Sequence, residues 1–360
     1  MLTRVGADRP YAGSRPLTVA ELDLDPPGEG ELLVKVEAAG VCHSDLSVVD
    51  GNRVRPVPMA LGHEAAGTVV QTGPGVTGIA VGDHVVLVFV PACGLCVHCG
   101  AGAPALCARG AATNGAGTLL RGARRLRWDG ADVHHHLGVS AFSEYAVVDR
   151  ASAVVIDEDV PWEIAALFGC ALLTGVGAVR HTVTVQPGDA VAVFGLGGVG
   201  LSAVMGAALA GAYPLIGVDP VASKRELARS LGATHVVAPG EEWPVERVDY
   251  AVEAVGSAPV LAAAYAATAR GGTTVAVGLP HPDAELRLPA LSLVAEARTL
   301  VGSYMGSAAP QRDIPRLVGL WRAGRLPVQA LHTATVELDD INAAMDALAD
   351  GSAVRQVIRP

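Results

Sequence analysis

Apolar positions along this chain follow two different rhythms. Over residues 31–36 they alternate with polar ones, as in a half-buried strand. β-Branched runs at 67–71 and 84–90 lie between Gly and Pro turns and read as further strands. These predict a β-rich segment up to about residue 170. From about 172 to 303 short, largely apolar runs read as strands, at 190–194, 215–218, 235–237, 248–252 and 274–277, with helical stretches such as 223–231 between them. Runs of this kind suit strands buried on both faces, and their alternation with helices implies a doubly wound parallel sheet. The tail returns to mixed structure. A helix is expected from an Asp339 or Asp340 cap through Leu348, stopping near Gly351. Residues 108–141 fit neither rhythm. They hold few apolar side chains and a cluster of arginines, Arg121, Arg124, Arg125 and Arg127, and read as a long irregular excursion.

Composition narrows the function classes. At 360 residues the chain has room for two domains, and 51% apolar content can fill two cores. Only 17% is charged and the net charge is -10, which excludes a nucleic-acid footprint. Residues 190–218 carry no charge and are long enough to span a bilayer. Gly195, Gly197, Gly198, Gly200, Gly206, Gly211 and Pro214 interrupt them, so they read as strand, turn, helix and strand, and no membrane partner is expected. The N-terminal segment MLTRVGADRP has no apolar run, so no secretory leader is expected. Six cysteines in metal-type spacings then point to a reducing cytoplasm.

Those cysteines form two groups. Cys93, Cys96, Cys99 and Cys107 make a C-x2-C-x2-C-x7-C run, the shape of a closed structural zinc loop. An iron–sulfur cluster uses a shorter last spacing followed by Pro, where this chain has Ala108; unmetallated thiols are the other alternative. His98 lies within the loop and reads as a bystander. Cys42 stands in Cys42-His43-Ser44-Asp45, His63 in Gly62-His63-Glu64, and Cys170 alone. Two thiolates and an imidazole with one position left open would make a catalytic zinc site, and Asp45 would fix the second nitrogen of His63. On spacing alone, ordinary core or surface residues remain the alternative.

Residues 191–200 run from a strand into G-x-G-x-x-G. Gly195 would allow the tight turn, Gly197 the approach of a pyrophosphate, and Gly200 the packing of helix on sheet. Asp219 ends the next strand, 19 residues past Gly200, where a carboxylate binds ribose hydroxyls and repels a 2′-phosphate. NAD is therefore expected over NADP; a glycine turn without ligand is the bland reading.

Taken together these residues resemble the zinc-dependent medium-chain alcohol dehydrogenases. The matching pieces are Gly40-Val-Cys-His-Ser-Asp45, Gly62-His-Glu64, the four-cysteine loop, Cys170 with Thr174, the glycine fingerprint with Asp219, Val277-Gly-Leu-Pro280 and Val354-Arg355. The excursion, ending at Tyr145, resembles the longer class I and class III type. The resemblance implies an α/β architecture. A GroES-like β-rich catalytic domain (1–171 and 304–360, with the structural zinc loop 93–107) is joined to a Rossmann domain (172–303). It implies two zinc ions per chain and NAD, with cofactor and substrate in a cleft between the domains. Cys42, His63 and Cys170 would hold the catalytic zinc, with Glu64 beside it. Ser44 would take the alcohol proton. NAD would contact His43, Thr174, Gly195, Gly197, Gly198, Val199, Gly200, Asp219, Lys224, Val277 and Arg355. The substrate pocket would include Phe89, Ala112, His136 and Leu279. A homodimer is expected, with a tetramer as the alternative.

The chain departs from its relatives at a few positions. Ser47 replaces a relay histidine, so proton release would use His43, water or the cofactor ribose hydroxyl, and His43 replaces an arginine that often grips the pyrophosphate. Arg53 stands where glutathione-dependent formaldehyde dehydrogenases carry an acid. His136 and Ala112 replace larger or more apolar residues, which points to bulky primary or aryl alcohols; sequence drift without effect on the pocket is the alternative. The rival readings are a thiol-adduct formaldehyde dehydrogenase, a dehydrogenase that keeps NAD bound and uses an external acceptor, and a crystallin-like structural protein.

Overall fold

The computed structural model describes residues 1–360. The chain forms two compact units: Met1–Cys170 with Ala309–Val318 and His332–Pro360, and Ala171–Ala308 with Gly319–Leu331. This differs from the expected boundaries in the tail. Residues 304–308 and 319–331 join the second unit. Leu326, Val328 and Leu331 are fully buried there. Gly306 presses so closely on the turn Leu173–Gly177 that a Cβ would lie 2.6 Å from the Leu173 carbonyl oxygen.

The first unit is built on one long strand. Glu31–Gly40 extends four residues beyond the expected one and pairs with Glu64–Thr72, Tyr145–Asp149 and the C-terminal strand Arg355–Arg359. The sheet continues through His84–Leu87 to Ala153–Ile156 on one side and to His332–Glu337 on the other. Leu32, Val34, Val36, Val69, Val85, Leu87 and Val148 fill its core. The tail is thus part of the N-terminal sheet, which places Arg355 next to the start of the chain's chemistry. The expected Asp340 cap does not form: a short 3-10 turn, Leu338–Asp340, leads into the helix Ile341–Ala349, and no side chain caps it.

The excursion is ordered, contrary to expectation. It forms a helix, Ala108–Ala116, and two strands, Leu126–Trp128 and Ala131–His135, in a small second sheet. Its arginines fasten it. Arg125 Nε lies 2.7 Å from Glu31, which is only 1% exposed. Losing one partner of that pair would leave a buried charge, at a cost of about 3–5 kcal/mol. Arg127 with Asp25 is half-exposed and is worth about 0–1 kcal/mol. The Glu31 pair, with Arg121 on the equally buried Asp149 at 3.3 Å, is therefore the stronger electrostatic fastening.

The second unit carries six parallel strands in the order His235–Val237, Leu215–Val218, Val191–Phe194, Val248–Glu253, Thr268–Ala276 and Thr299–Gly302. The sixth was not legible as a strand: it is short and half-exposed. The order reverses between Val191–Phe194 and Val248–Glu253, and crevices for nucleotides open at such a reversal. Gly195 takes φ +87, and a Cβ on Gly200 would lie 1.7 Å from the Gly195 carbonyl oxygen. The helix Gly198–Ala210 starts there.

One helical run, Trp162–Thr182, is long and apolar enough to cross a membrane, and 89% of its most apolar window is buried within the protein. It is a core helix, and it lies outside the uncharged stretch 190–218 that the sequence pointed to.

Gly200→Ala should destabilise the protein by about 1–3 kcal/mol, because its methyl must displace backbone rather than a flexible side chain. Urea unfolding measures this, and an unchanged midpoint would show that the turn relaxes freely.

Candidate active site

Three separate pieces of the first unit converge on one buried point. Cys42 precedes the helix His43–Val49, and Glu64 opens the strand Glu64–Thr72 directly after His63. Cys170 lies in a five-residue π-helical segment, Phe168–Leu172, the kind of helix irregularity that recurs at functional sites. The ligand atoms of Cys42, His63, Glu64 and Cys170 all lie within 4.8 Å of one another, and all four residues are buried. Cys170 Sγ is 3.5 Å from His63 Nε2.

The far side of His63 is fixed by Asp45. His63 Nδ1 lies 2.9 Å from Asp45 Oδ2, in a close charged contact outside hydrogen-bond alignment. Asp45 Oδ1 accepts from the Gly62 N–H and meets His136 Nδ1, each at 3.0 Å. Phe89 and His136 both present rings edge-on to His63, with centroids 5.6 Å away.

Charge is arranged to suit a cation. Burial disfavours ionised Asp45, but His63 and His136 outweigh it and hold the carboxyl down at about 2. Burial likewise opposes charge on His63, yet Asp45 and Cys42 raise it well above the usual range. The hydrogen bond between the two thiols, with Arg355 and His63 nearby, draws Cys42 down, and the same bond with burial drives Cys170 up. Burial lifts Glu64 to about 7, partly offset by Arg355, and neither of its carboxylate oxygens has a hydrogen-bond partner. Two sulfurs that resist being ionised together, an imidazole and an unsatisfied carboxylate match the donor set of a zinc dication, which would stabilise both thiolates.

The remaining expected residues are placed less uniformly. Ser44 is half-buried and His43 exposed in the first turn of their helix. Ser47 Oγ donates to the His43 carbonyl oxygen at 2.8 Å. Arg355 is buried; its Nη1 donates to the Val41 carbonyl oxygen at 3.1 Å and lies 3.8 Å from Glu64. Ala112 sits on the exposed face of its helix, and Leu279 is 48% exposed. The His136 imidazole is engaged by Asp45, because the segment after it bonds to residues 60–62 and turns the ring inward.

The four-cysteine loop also closes. The sulfurs of Cys93, Cys96, Cys99 and Cys107 lie within 4.8 Å of one another. Backbone N–H groups already point at them: Cys93 and Gly110 donate to Cys107 Sγ at 3.2 and 3.3 Å. Bonds from the Cys99 and Ala108 amides lower Cys96 to about 6, whereas burial pushes Cys99 to about 12. Four thiols with preset donors in a loop of little other order fit a structural zinc.

The glycine turn offers a cradle. A Cβ on Gly197 would meet nothing within 4 Å, so its backbone is open where Gly195 and Gly200 are packed. Asp219 Oδ2 accepts from the Leu196 N–H and Oδ1 from the Val221 N–H, both at 2.8 Å. Lys224 lies in the first turn of the next helix, Ala222–Ser230. The Thr174 hydroxyl is buried without a partner, an orphan that a ligand group would satisfy. Reading the sequence missed Glu253, whose buried Oε1 accepts from the N–H groups of Val255 and Gly256 at 2.8 and 2.7 Å and shapes the neighbouring turn. Its only signal was a lone acid ending an apolar strand.

The comparisons with known proteins agree with this geometry. Residues 28–158 match the alcohol dehydrogenase GroES-like domain, and residues 198–322 match the zinc-binding dehydrogenase domain. The chain is 38% identical over 356 residues to S-(hydroxymethyl)glutathione dehydrogenase of Synechocystis sp., covering 96% of each chain. It is 39% identical over 360 residues to NDMA-dependent alcohol dehydrogenase of Amycolatopsis methanolica, covering 97% of this chain and 96% of that one. Among solved structures, benzyl alcohol dehydrogenase from Acinetobacter calcoaceticus superposes with a TM-score of 0.88 at 35% identity, covering 94% of each.

His135 carries a pH prediction for this part of the fold. Burial, with Arg124 and Arg125 nearby, depresses it from 6.5 to about 3, and its Nε2 accepts from the Arg125 N–H. Between those values the unfolded chain binds the extra proton, so stability is lost as pH falls from about 6.5 towards about 3. His135→Gln keeps an acceptor and removes the titration. Its urea midpoint should therefore drop less than the parent's between about pH 7 and about pH 5. Equal drops would mean that His135 does not contribute.

Proposed function

We propose that this chain, which belongs to the zinc-dependent medium-chain alcohol dehydrogenase family, reversibly oxidises bulky or aryl primary alcohols to aldehydes with NAD. The family makes it an oxidoreductase acting on alcohols. The observation that carries the reading is the buried convergence of Cys42, His63, Cys170 and Glu64, a donor set with chemistry beyond structural support. Bound zinc supplies Lewis acidity that eases loss of the alcohol proton, and bound NAD supplies the hydride acceptor. Cys42, His63 and Cys170 would hold the metal, and Asp45 would keep the His63 Nε2 lone pair directed at it. Ser44 would receive the alcohol proton and pass it outward. Gly197 and the N-terminus of the helix Gly198–Ala210 would receive the pyrophosphate, and Asp219 with Lys224 the adenosine ribose.

Buried Phe89 beside His63 and the likeness to a benzyl alcohol dehydrogenase support the aryl preference. Benzyl alcohol should exceed ethanol in kcat/KM by about 10-fold or more, read from nicotinamide absorbance. Equal values would remove the aryl assignment. The NDMA-dependent relative supports a second reading, in which NAD stays bound and an external acceptor regenerates it. Turnover with a nitroso acceptor but none with free NAD would favour that route. The glutathione-adduct reading has a relative of its own, whereas Arg53 weighs against it.

The reading extends to a homodimer in a reducing cytoplasm. Thr299–Gly302 is an edge strand, and in the helix Ala290–Ala295 just before it Leu291 is 77% and Val294 83% exposed. An open edge beside apolar side chains suits a self-complementary two-fold contact. Val294→Asp should convert the dimer to monomer in light scattering. A parent protein that already runs as a monomer would defeat this part.

A further inference from the structure

We propose that His136 is a positioning residue for the catalytic metal, acting through Asp45, and not a wall of the substrate pocket. The inference rests on the reading that Cys42, His63 and Cys170 bind zinc. Its observation is separate: one buried carboxylate serves two imidazoles. Asp45 is fully buried and His136 is about 2% exposed, and His136 Nδ1 meets Asp45 Oδ1 at 3.0 Å. The Gly62 N–H takes the same oxygen at 3.0 Å. Both donors on Oδ1 fix the plane of the carboxylate, which leaves Oδ2 facing His63 Nδ1 at 2.9 Å.

The alignment makes this support matter. The His63 contact is close but outside hydrogen-bond alignment, so the aligned bonds that orient Asp45 come from His136 and the Gly62 N–H. His136 makes an aligned hydrogen bond to Asp45. Its ring also stands edge-on to His63, opposite in role to the purely apolar Phe89.

The backbone that carries His136 is itself over-determined. The His136 N–H donates to Ser140 Oγ at 2.8 Å, and that hydroxyl donates to the Ala60 carbonyl oxygen at 2.7 Å. Leu137 at φ 52 and Ser140 at φ 57 both hold left-handed backbone. Non-glycine residues adopt this conformation at a cost, and it persists where the surroundings enforce it. A surface loop drifting in sequence has no need for two such residues. Here they turn the imidazole inward onto Asp45.

The test compares the zinc-loaded parent with His136→Phe and His136→Asn. Phe keeps a ring and removes the donor; Asn returns an N–H at the position of Nδ1. Each holoprotein is mixed with excess chromogenic chelator, and zinc release is followed, with the four-cysteine loop as internal reference. His136→Phe should release catalytic zinc about 10-fold faster while the loop phase stays unchanged. His136→Asn should return the rate to near that of the parent. If Phe releases zinc at the parental rate and shifts only the benzyl-to-ethanol preference, the inference is overturned and His136 is a pocket residue. If Phe and Asn release zinc equally fast, or Phe fails to fold and Asn also sheds zinc, the donor is not what matters and the inference also falls. A parent holding one zinc per chain, in the loop alone, would instead defeat the underlying metal assignment, which separates the two failures.

Discussion

A dry pocket that must hold several ionisable groups at once constrains everything around it. Cys42, Cys170, His63, Glu64, Asp45 and Arg355 are all nearly inaccessible to water. Desolvation opposes each charge, so the pocket is stable only through mutual compensation. Arg355 and the metal donors come from the two ends of the first unit's sequence, and the C-terminal strand Arg355–Arg359 brings them together by pairing with Glu31–Gly40. Sheet register therefore does electrostatic duty: Val357 opposite Gly40 sets Arg355 beside Val41 and Glu64.

The legible parts of this architecture are local in sequence. The C-x2-C-x2-C-x7-C spacing and the strand-to-glycine turn at 191–200 each lie within about one supersecondary unit, and their chemistry is fixed by backbone geometry over a few residues. Contacts spanning long stretches were not legible. His136 and Asp45 are 91 positions apart, and nothing in a run of three histidines says which one turns inward. The excursion 108–141 was read as irregular because its helix is Ala- and Gly-rich and its strands are short. Its order comes from partners elsewhere, Glu31, Asp25 and residues 58–60. Asp340 shows the reverse error, in which a good local capping residue is overridden by the 3-10 turn it belongs to.

The nucleotide-binding unit relies on backbone proximity more than on side chains. A Cβ on Gly278 would lie 2.0 Å from the Gly256 nitrogen, and one on Gly256 would lie 2.6 Å from the Leu279 carbonyl oxygen. The turns after two adjacent strands are thus packed main chain to main chain, and Glu253 ties one of them down from below. Such a rim presents amides rather than flexible side chains, so little conformational freedom is lost when a ligand docks.

The π segment around Cys170 sets a phase relationship in the helix that carries it. A π turn holds more residues than the 3.6 of an α turn, so Phe168–Leu172 advances the helix less per residue than its flanks do. Removing one residue between Trp162 and Leu167, with the π segment kept, would rotate the thiol by about 100°. Hydrophobic content would hardly change, and the core would still fill. The Cys170 thiol, the second sulfur of the cluster, would turn away from Cys42 and His63 all the same. Chain length in this helix is therefore under a tighter constraint than residue identity at most of its positions.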